Sequence, residues 1–403
     1  MSSGAGHVRS VGAGPVRPAL VLLGILALAL NLRAALAGYP PLLETIRAEL
    51  GASAATAGLV QSGAVAMMAA GSFAGPAFGD RFGRESGLGA AVGLVALGSL
   101  LRGVPALPSL IGGSLLIGFG VGLAGVLLAG VVKEHLGGRA AAATGGYTVS
   151  MMVGATASSA LVVPTAVVLG GWSYALALLA VPAVLATALW LPIARRVARA
   201  AGPAGARSPL PWRLRFGRLV ATYQAGNSTL FYGWMTWLAP YYEGQGWSAQ
   251  RAGLLLAVWS AVQLPAGLII PVLAERRRRW RFWSVVSVGC GLVGTLGALL
   301  APTPPVVGPW AWVVLIGISG ASFPLGLSVI AWRTPDGGAS AATSGLALGV
   351  GYVCAALGPL LMGVLIDLTG GFRAAIGVLL VAGAAQVVAT VLIGDAGRRR
   401  SRG

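Results

Sequence analysis

Arg33 is the one charged residue set deep inside a long apolar stretch of this chain, about 13 residues into the segment Ala19–Gly38. At 1.5 Å per residue it stands roughly 20 Å into a 30 Å hydrocarbon core. A guanidinium at such a depth costs on the order of 2.5 to 3.5 kcal/mol, so the position calls for a compensating role. The chemistry on offer is neutralisation of an anion or strong dipole that arrives from water. Snorkelling to the surface about 10 Å away is the competing role. Asn31 lies about 200° around the helix from Arg33. It shares a stripe with Gly24, Ala27, Ala35 and Gly38 that reads as a packing face.

A second constellation stands in the other half of the chain, where Asn227, Phe231 and Trp234 fall at i, i+4 and i+7 with Tyr232 and Trp237 beside them. Flat rings with one amide suit a small planar solute. The same rings also serve as packing or as an interfacial belt, Trp237 above all. Gln61, Gln263, Tyr147 and Tyr352 are further polar candidates within apolar stretches, each equally suited to bonding a neighbouring helix. All 10 acidic residues map to loops or to the ends of apolar stretches. With no carboxylate near a midplane, three modes stay open: uniport, exchange against a counter-anion, or proton coupling through a peripheral Glu44, Glu243 or Asp367.

A third group is the loop Pro76-Ala-Phe-Gly-Asp80-Arg81-Phe-Gly83-Arg84. Gly83 permits a tight turn, and a carboxylate among arginines forms a latch that can make and break between two states. Glu275-Arg276 repeats the charge pattern, but Arg277, Arg278 and Arg279 follow where a turn glycine would be. Asp80, Arg81, Gly83, Arg84, Glu275 and Arg276 are therefore candidates for a conformational switch; a plain surface anchor is the simpler role for the arginines.

The elements that carry these groups are legible from composition and repetition. Over 403 residues 56% are hydrophobic and 9% charged, with mean hydropathy +0.83. A water-soluble domain could not hide that much apolar surface. Twelve apolar stretches of about 20 residues, enough to cross a bilayer as helices, run from Ala19 to Gly394; Ser173–Ala194 and Trp310–Trp332 are the sixth and tenth. The chain also repeats itself. Gly51, Ser53, Ala57, Gly58 and Leu59 recur as Gly246, Ser248, Ala252, Gly253 and Leu254. After a short insertion, Thr144-Gly145 and Gly170-Gly171-Trp172 recur as Ser344-Gly345 and Gly370-Gly371-Phe372. A duplicated bundle is the simplest cause, and in a membrane protein such halves enclose a path at their interface.

The net charge of +18 does not signal nucleic acid, because the basic residues lie in short runs between apolar stretches. Placing both termini and the even-numbered connections on one side collects 23 Lys and Arg there, against Arg47, Arg102, Arg251 and Arg373 on the other. The bias predicts cytoplasmic termini. The expected organisation is a tail at 1–18, a six-helix half at 19–194, a cytoplasmic linker at 195–218, a second half at 219–394 and a basic tail at 395–403. Ala35-Leu36-Ala37 has the small-x-small form of a signal-peptidase site, but cleavage there would leave eleven spans and unbalance the duplication. Cys290 and Cys354 lie in apolar segments and His7 and His135 lack ligand-spaced partners, so no disulfide framework, metal site or cofactor is expected. Gly120-Val-Gly122-Leu-Ala-Gly125 matches a dinucleotide fingerprint in letters only, since no strand precedes it and small residues in a membrane helix serve packing. With no hydrolase or nucleotide-binding motif, the chain reads as a non-enzyme.

The Asp80 loop resembles the signature loop of the major facilitator superfamily, Gly-x-Leu-Ala-Asp-Arg-x-Gly-Arg. Asp80, Arg81, Gly83 and Arg84 match, whereas Pro76 replaces the first glycine and Glu85 the usual basic residue after Arg84. Within that superfamily the chain is similar to the cyanate permease and 2-nitroimidazole transporter branch. The similarity is carried by Asn31-Leu-Arg33, Pro41-Leu-Leu-x-x-Ile46, Leu230-Phe231-Tyr232, Trp237-Leu238-Ala239-Pro240, Gly351-Tyr352, Ala356-Leu357-Gly358-Pro359-Leu360 and Asp367-Leu-Thr-Gly370. Ala34, Gly125 and Ala129 depart from the branch's proline, asparagine and proline. The resemblance implies an all-α membrane protein with twelve transmembrane helices in two pseudo-symmetric six-helix halves. The expected function is a monomeric carrier of the cytoplasmic membrane that moves a small-molecule substrate, a small anion or compact polar or aromatic solute, by alternating access, with a drug exporter or a non-transporting membrane sensor on the same fold as the alternatives.

Overall fold

The computed structural model describes residues 18–136, 140–197, 211–303, 308–335 and 337–394. Both tails and most of the linker, including its central prolines, lie outside the described residues, as does part of the proline-rich run 302–309. The first half comprises α1 (Pro18–Ala37), α2 (Leu43–Leu50), α3 (Ala54–Phe82), α4 (Arg84–Leu101), α5 (Leu107–Leu136), α6 (Ala140–Leu169), α7 (Trp172–Leu178) and α8 (Ala180–Val197). The second comprises α9 (Arg215–Glu243), α10 (Ala249–Arg276), α11 (Trp280–Leu300), α12 (Trp310–Ile318), α13 (Ser322–Arg333), α14 (Gly337–Thr369) and α15 (Phe372–Ile393). Among the described residues there is no strand.

Two spans are broken where hydropathy alone reads one continuous helix. The stretch Ser173–Ala194 divides between α7 and α8, and Trp310–Trp332 passes through a 3-10 turn at Ser319–Ala321 between α12 and α13. Each break falls three to five residues ahead of a proline, Pro182 and Pro324, whose ring collides with the carbonyl one turn back.

Among the described residues eleven helices or helix groups are long and apolar enough to cross a bilayer. The twelfth spanning element, α9, is 29 residues long but too polar to meet that standard. It carries Gln224, Asn227, Ser228, Thr229 and Thr236, all buried. A helix enclosed by other helices sheds the need for an apolar outer face, and α9 is buried almost without interruption from Val220 to Tyr242. The large apolar side chains that the bundle does expose, such as Phe73, Val167, Leu189, Leu300 and Val381, sit on the spanning helices and suit contact with lipid.

Within the first half α1 packs on α6 and α3 on α5; within the second α9 packs on α14 and α15. The halves meet along α3 with α14 and along α6 with α10. Duplication relates α3 to α10 and α6 to α14, so a pseudo-two-fold axis exchanges these two contacts. The repeat extends to backbone detail. Gly51 and Gly246 both adopt positive φ, as do Gly170 and Gly370. Ser53 and Ser248 each accept a hydrogen bond from the third backbone N–H beyond them, capping α3 and α10. The dinucleotide-like glycines are contact points: a Cβ on Gly122 would come within 2.0 Å of the Met68 carbonyl, and one on Gly120 within 2.5 Å of that of Ala91.

The lost turn glycine has a visible consequence. Gly83 ends α3 with φ of 83°, and Arg278, its counterpart after α10, is among the described residues the non-glycine residue that takes positive φ, 49°. An L-residue there stores about 1 to 2 kcal/mol, against which glycine loses some chain entropy. Arg278→Gly is expected to raise stability by about 0.5 to 1 kcal/mol. Thermal unfolding in detergent measures it, and a lowered midpoint would show that the guanidinium has a compensating contact.

Candidate functional site

Two of the four inter-half helices, α6 and α10, line a cavity at the interface together with α1 and α9. Arg33 and Ala37 come from α1, Met152 and Ala155 from α6, Phe231 and Met235 from α9, and Leu256, Trp259, Ser260 and Gln263 from α10. The Arg33 guanidinium stands 4.8 Å from the centroid of the Phe231 ring. Phe231 is near the midpoint of α9, so the charge turns inward and does not snorkel. Phe231 in turn leans on Trp259 at 5.0 Å and meets Tyr232 edge-on at 5.0 Å. The Arg33 charge also acts on the Tyr232 and Tyr352 hydroxyls. Among the described residues Arg33 has neither a carboxylate nor a hydrogen-bond partner. A cation over one aromatic face is compensated only in part.

The remaining candidates divide clearly. Gln263 lines the cavity and donates to the Trp259 carbonyl at 3.3 Å. Asn227 lies one turn from Phe231, buried and without a hydrogen bond. Tyr232 donates to Met68 Sδ at 3.9 Å across the halves. Tyr147 and Tyr352 are half-buried against the surrounding core. Gln61 is fully buried on α3, with neither amide atom partnered. Trp234 and Trp237 do not line the cavity: Trp234 donates to Thr295 Oγ1 at 3.0 Å and Trp237 to the Pro359 carbonyl at 3.0 Å. Asn31 donates to the Ala27 and Pro182 carbonyls, as its packing face requires.

Sequence reasoning missed Trp259, Ser260, Met152 and Met235. Leu256, Trp259, Ser260 and Gln263 recur at i, i+3, i+4 and i+7, which marks one face of α10. A subtler signal is the duplication itself, which pairs Met68 with Gln263 and Met152 with Tyr352. Of these four positions, one on each inter-half helix, Met152 and Gln263 line the cavity, Tyr352 feels the Arg33 charge, and Met68 accepts from Tyr232. The Ser260 hydroxyl is buried without a protein partner. The cavity thus combines one partly compensated cation, two flat rings, thioether walls and polar groups.

Around the charged loop, Arg84 lies along α5 at Gly130, and Arg81 is exposed with its guanidinium 5.5 Å from the Phe82 ring centroid. The Asp80 side chain lies outside the described residues. Glu85, the departure from the signature, is buried: its carboxylate meets His135 Nε2 at 2.7 Å and its carbonyl accepts from Trp190 Nε1 at 2.7 Å. Glu275 and Arg276 are exposed.

At the face opposite the start of α1 and the end of α15, hereafter the far face, Glu243 closes α9 with Oε1 buried and unpartnered. Glu44 of α2, itself paired with Arg47 at 2.9 Å, acts on it. Burial first, then the Glu44 charge, push the Glu243 carboxyl from 4.5 up to about 7. Between those values the folded protein holds a proton that the unfolded chain has released, so stability falls as pH rises through this window. Glu243→Gln is expected to flatten the fall in melting temperature from pH 5 to 7. An unchanged profile in the variant would assign the slope to another group.

The Major Facilitator Superfamily model matches residues 21–335. The 2-nitroimidazole transporter of Escherichia coli (strain K12) is 34% identical over 363 residues, covering 88% of this chain and 90% of that protein. The cyanate transport protein CynX of the same organism is 28% identical over 360 residues, covering 87% and 91%. Among solved structures, a bacterial homolog of the human lysosomal transporter Spinster, inward-facing and occupied, superposes with TM-score 0.73 at 18% identity over 94% of this chain and 95% of that one. A D-xylose-proton symporter gives 0.70 at 14% identity over 93% and 96%. With that fold, these relatives and a family match across most of its length, the chain belongs to the Major Facilitator Superfamily.

Proposed function

We propose that this transporter moves a small anion or compact polar aromatic solute, cyanate-like or nitroimidazole-like, across the cytoplasmic membrane by alternating access. One observation carries the reading: the Arg33 guanidinium stands over Phe231, with no carboxylate beside it among the described residues, in a cavity between the halves. An anion or nitro group there would meet the charge, while its planar body would meet Phe231 and Trp259. The two named relatives, of which one carries 2-nitroimidazole and the other cyanate by name, support this substrate class. Uptake into proteoliposomes from a panel of cyanate, small carboxylates and nitroimidazoles tests it. Flux of none of them would overturn it, and mutual competition across a broad, chemically mixed panel would favour a multidrug exporter.

The proposal includes a monomer in the inner membrane, with the terminus-bearing face and the 195–218 linker in the cytoplasm, and a proton or counter-anion as coupling ion. The distribution of 23 basic residues against 4 supports the orientation. Arg102, one of the four, is 1% exposed and so is no surface signal, which sharpens the bias. A cysteine placed at Gly308 is expected to react with an impermeant thiol reagent in intact cells, and one at Ser208, outside the described residues, to be protected. The reverse pattern would invert the protein.

A further inference from the structure

We propose that Asp367 is a latch that holds the far face closed and must release for that face to open. Asp367 stands in the last turn of α14, and its two carboxylate oxygens accept from the backbone N–H groups of Ala54 at 2.9 Å and Ala55 at 2.7 Å. These are the first two residues of α3, in the opposite half. Their N–H groups have no partner within their own helix, and the amino end of a helix favours negative charge. Ser53 already serves the N–H of Thr56 and the carbonyl of Ser53 that of Ala57. Asp367 thus completes the cap of α3 from across the interface.

The surrounding backbone shows that this end is shut. A Cβ on Gly363 would lie 2.4 Å from the Ala54 carbonyl oxygen, and one on Gly58 2.6 Å from that of Pro359. Helices in such contact can come no closer. The device belongs to this helix pair alone: the duplication places Val167 where Asp367 stands, and Val167 is 77% exposed. Asp367 is itself exposed, so water competes for its bonds. That balance suits a contact remade in every cycle better than a permanent tie.

The two helices run antiparallel, and continuing the register of Gly58 with Pro359 brings the end of α3 that bears Asp80 opposite Gly337, the start of α14. Each helix therefore carries an aspartate at its carboxyl end, beside the amino end of the other. The far-face contact is the mirror of the charged loop, at the opposite surface of the membrane. Closure at one face by Asp367 and at the other by the loop would alternate along the same pair of helices.

The inference rests on the carrier reading for its purpose, but its test needs no substrate. In a background with Cys290 and Cys354 replaced by serine, Ser260→Cys reports access to the cavity. An impermeant maleimide is applied from outside to cells, and separately to inverted vesicles. Asp367→Ala and Asp367→Asn are expected to raise the outside labelling rate about five- to tenfold, with a matching fall from the inside. Asp367→Glu should restore much of the parental rate. Equal outside rates in the parent and in both variants, with each eluting as a folded monomer, would overturn the latch. Should Asp367→Ala fail to fold, Asp367→Asn, which keeps the shape and one acceptor, decides. Faster labelling without flux of any panel compound would leave the latch standing and remove the carrier reading; flux with unchanged labelling would do the opposite.

Discussion

Arg33→Ala is expected to weaken binding of an anionic substrate about 30- to 100-fold while leaving the protein folded and inserted. A unit charge about 4 Å away gains roughly 4 kcal/mol at an effective dielectric of 20. Dehydrating both partners removes part of that, and a net 2 to 3 kcal/mol corresponds to the stated range. Insertion should improve, because the variant no longer carries a guanidinium into hydrocarbon. Arg33→Lys keeps the charge but loses the flat fork that matches a carboxylate or nitro group and stacks on Phe231, so partial rescue is expected. Binding to purified protein and initial uptake rates read both variants. Parental constants in folded Arg33→Ala would reduce the residue to a structural part and deprive the anion reading of its main support.

The second large effect concerns stability. Arg102 follows the last turn of α4 and is fully buried without a carboxylate among the described residues. Its Nη1 donates to the Ala35 carbonyl at 2.8 Å, while Nε and Nη2 both donate to Ser114 Oγ, at 3.0 and 2.7 Å. Its guanidinium also faces the Tyr39 ring at 5.8 Å. It thereby ties α4 and α5 to the end of α1, two residues beyond Arg33. Arg102→Ala opens a void and strands these acceptors, so a loss of about 3 kcal/mol is expected. Arg102→Met refills the volume without the hydrogen bonds and should fall between parent and alanine variant. Detergent melting curves give the order. If methionine proved no better than alanine, the hydrogen bonds alone would account for the loss.

Much of the fold was open to reading because duplication leaves repeated letters, and these letters fix repeated conformations: Gly51 with Gly246, Gly170 with Gly370, Ser53 with Ser248. The helix breaks before Pro182 and Pro324 escaped because hydropathy does not register a lost donor. Arg33 announced itself by its cost, but its neighbours did not, since contacts spanning nearly half the chain leave no local trace. The rings of α9 misled in a specific way. Periodicity picks out a face only when the opposite face is bland, and α9 carries rings on all sides because other helices surround it. Trp234 and Trp237 therefore brace α11 and α14, and Phe231 alone of the flat candidates presents itself to the cavity together with Arg33. Trp259 shares one face of α10 with Gln263, four residues on, and that spacing is visible in the sequence.

The polarity of α9 bears on how the chain enters the membrane in the first place. A segment with Gln224, Asn227, Ser228 and Thr229 in succession has little tendency to partition into lipid by itself. Arg213 just before it and Arg215 and Arg218 in its first turn can anchor its start at a membrane surface, but cannot supply the missing apolar free energy. The helices that enclose α9, chiefly α14, α15 and α10, all follow it in the chain, so α9 is expected to enter the bilayer together with them. The second half would then be committed as a group, and a chain truncated between α9 and α10 is expected to leave α9 outside the bilayer.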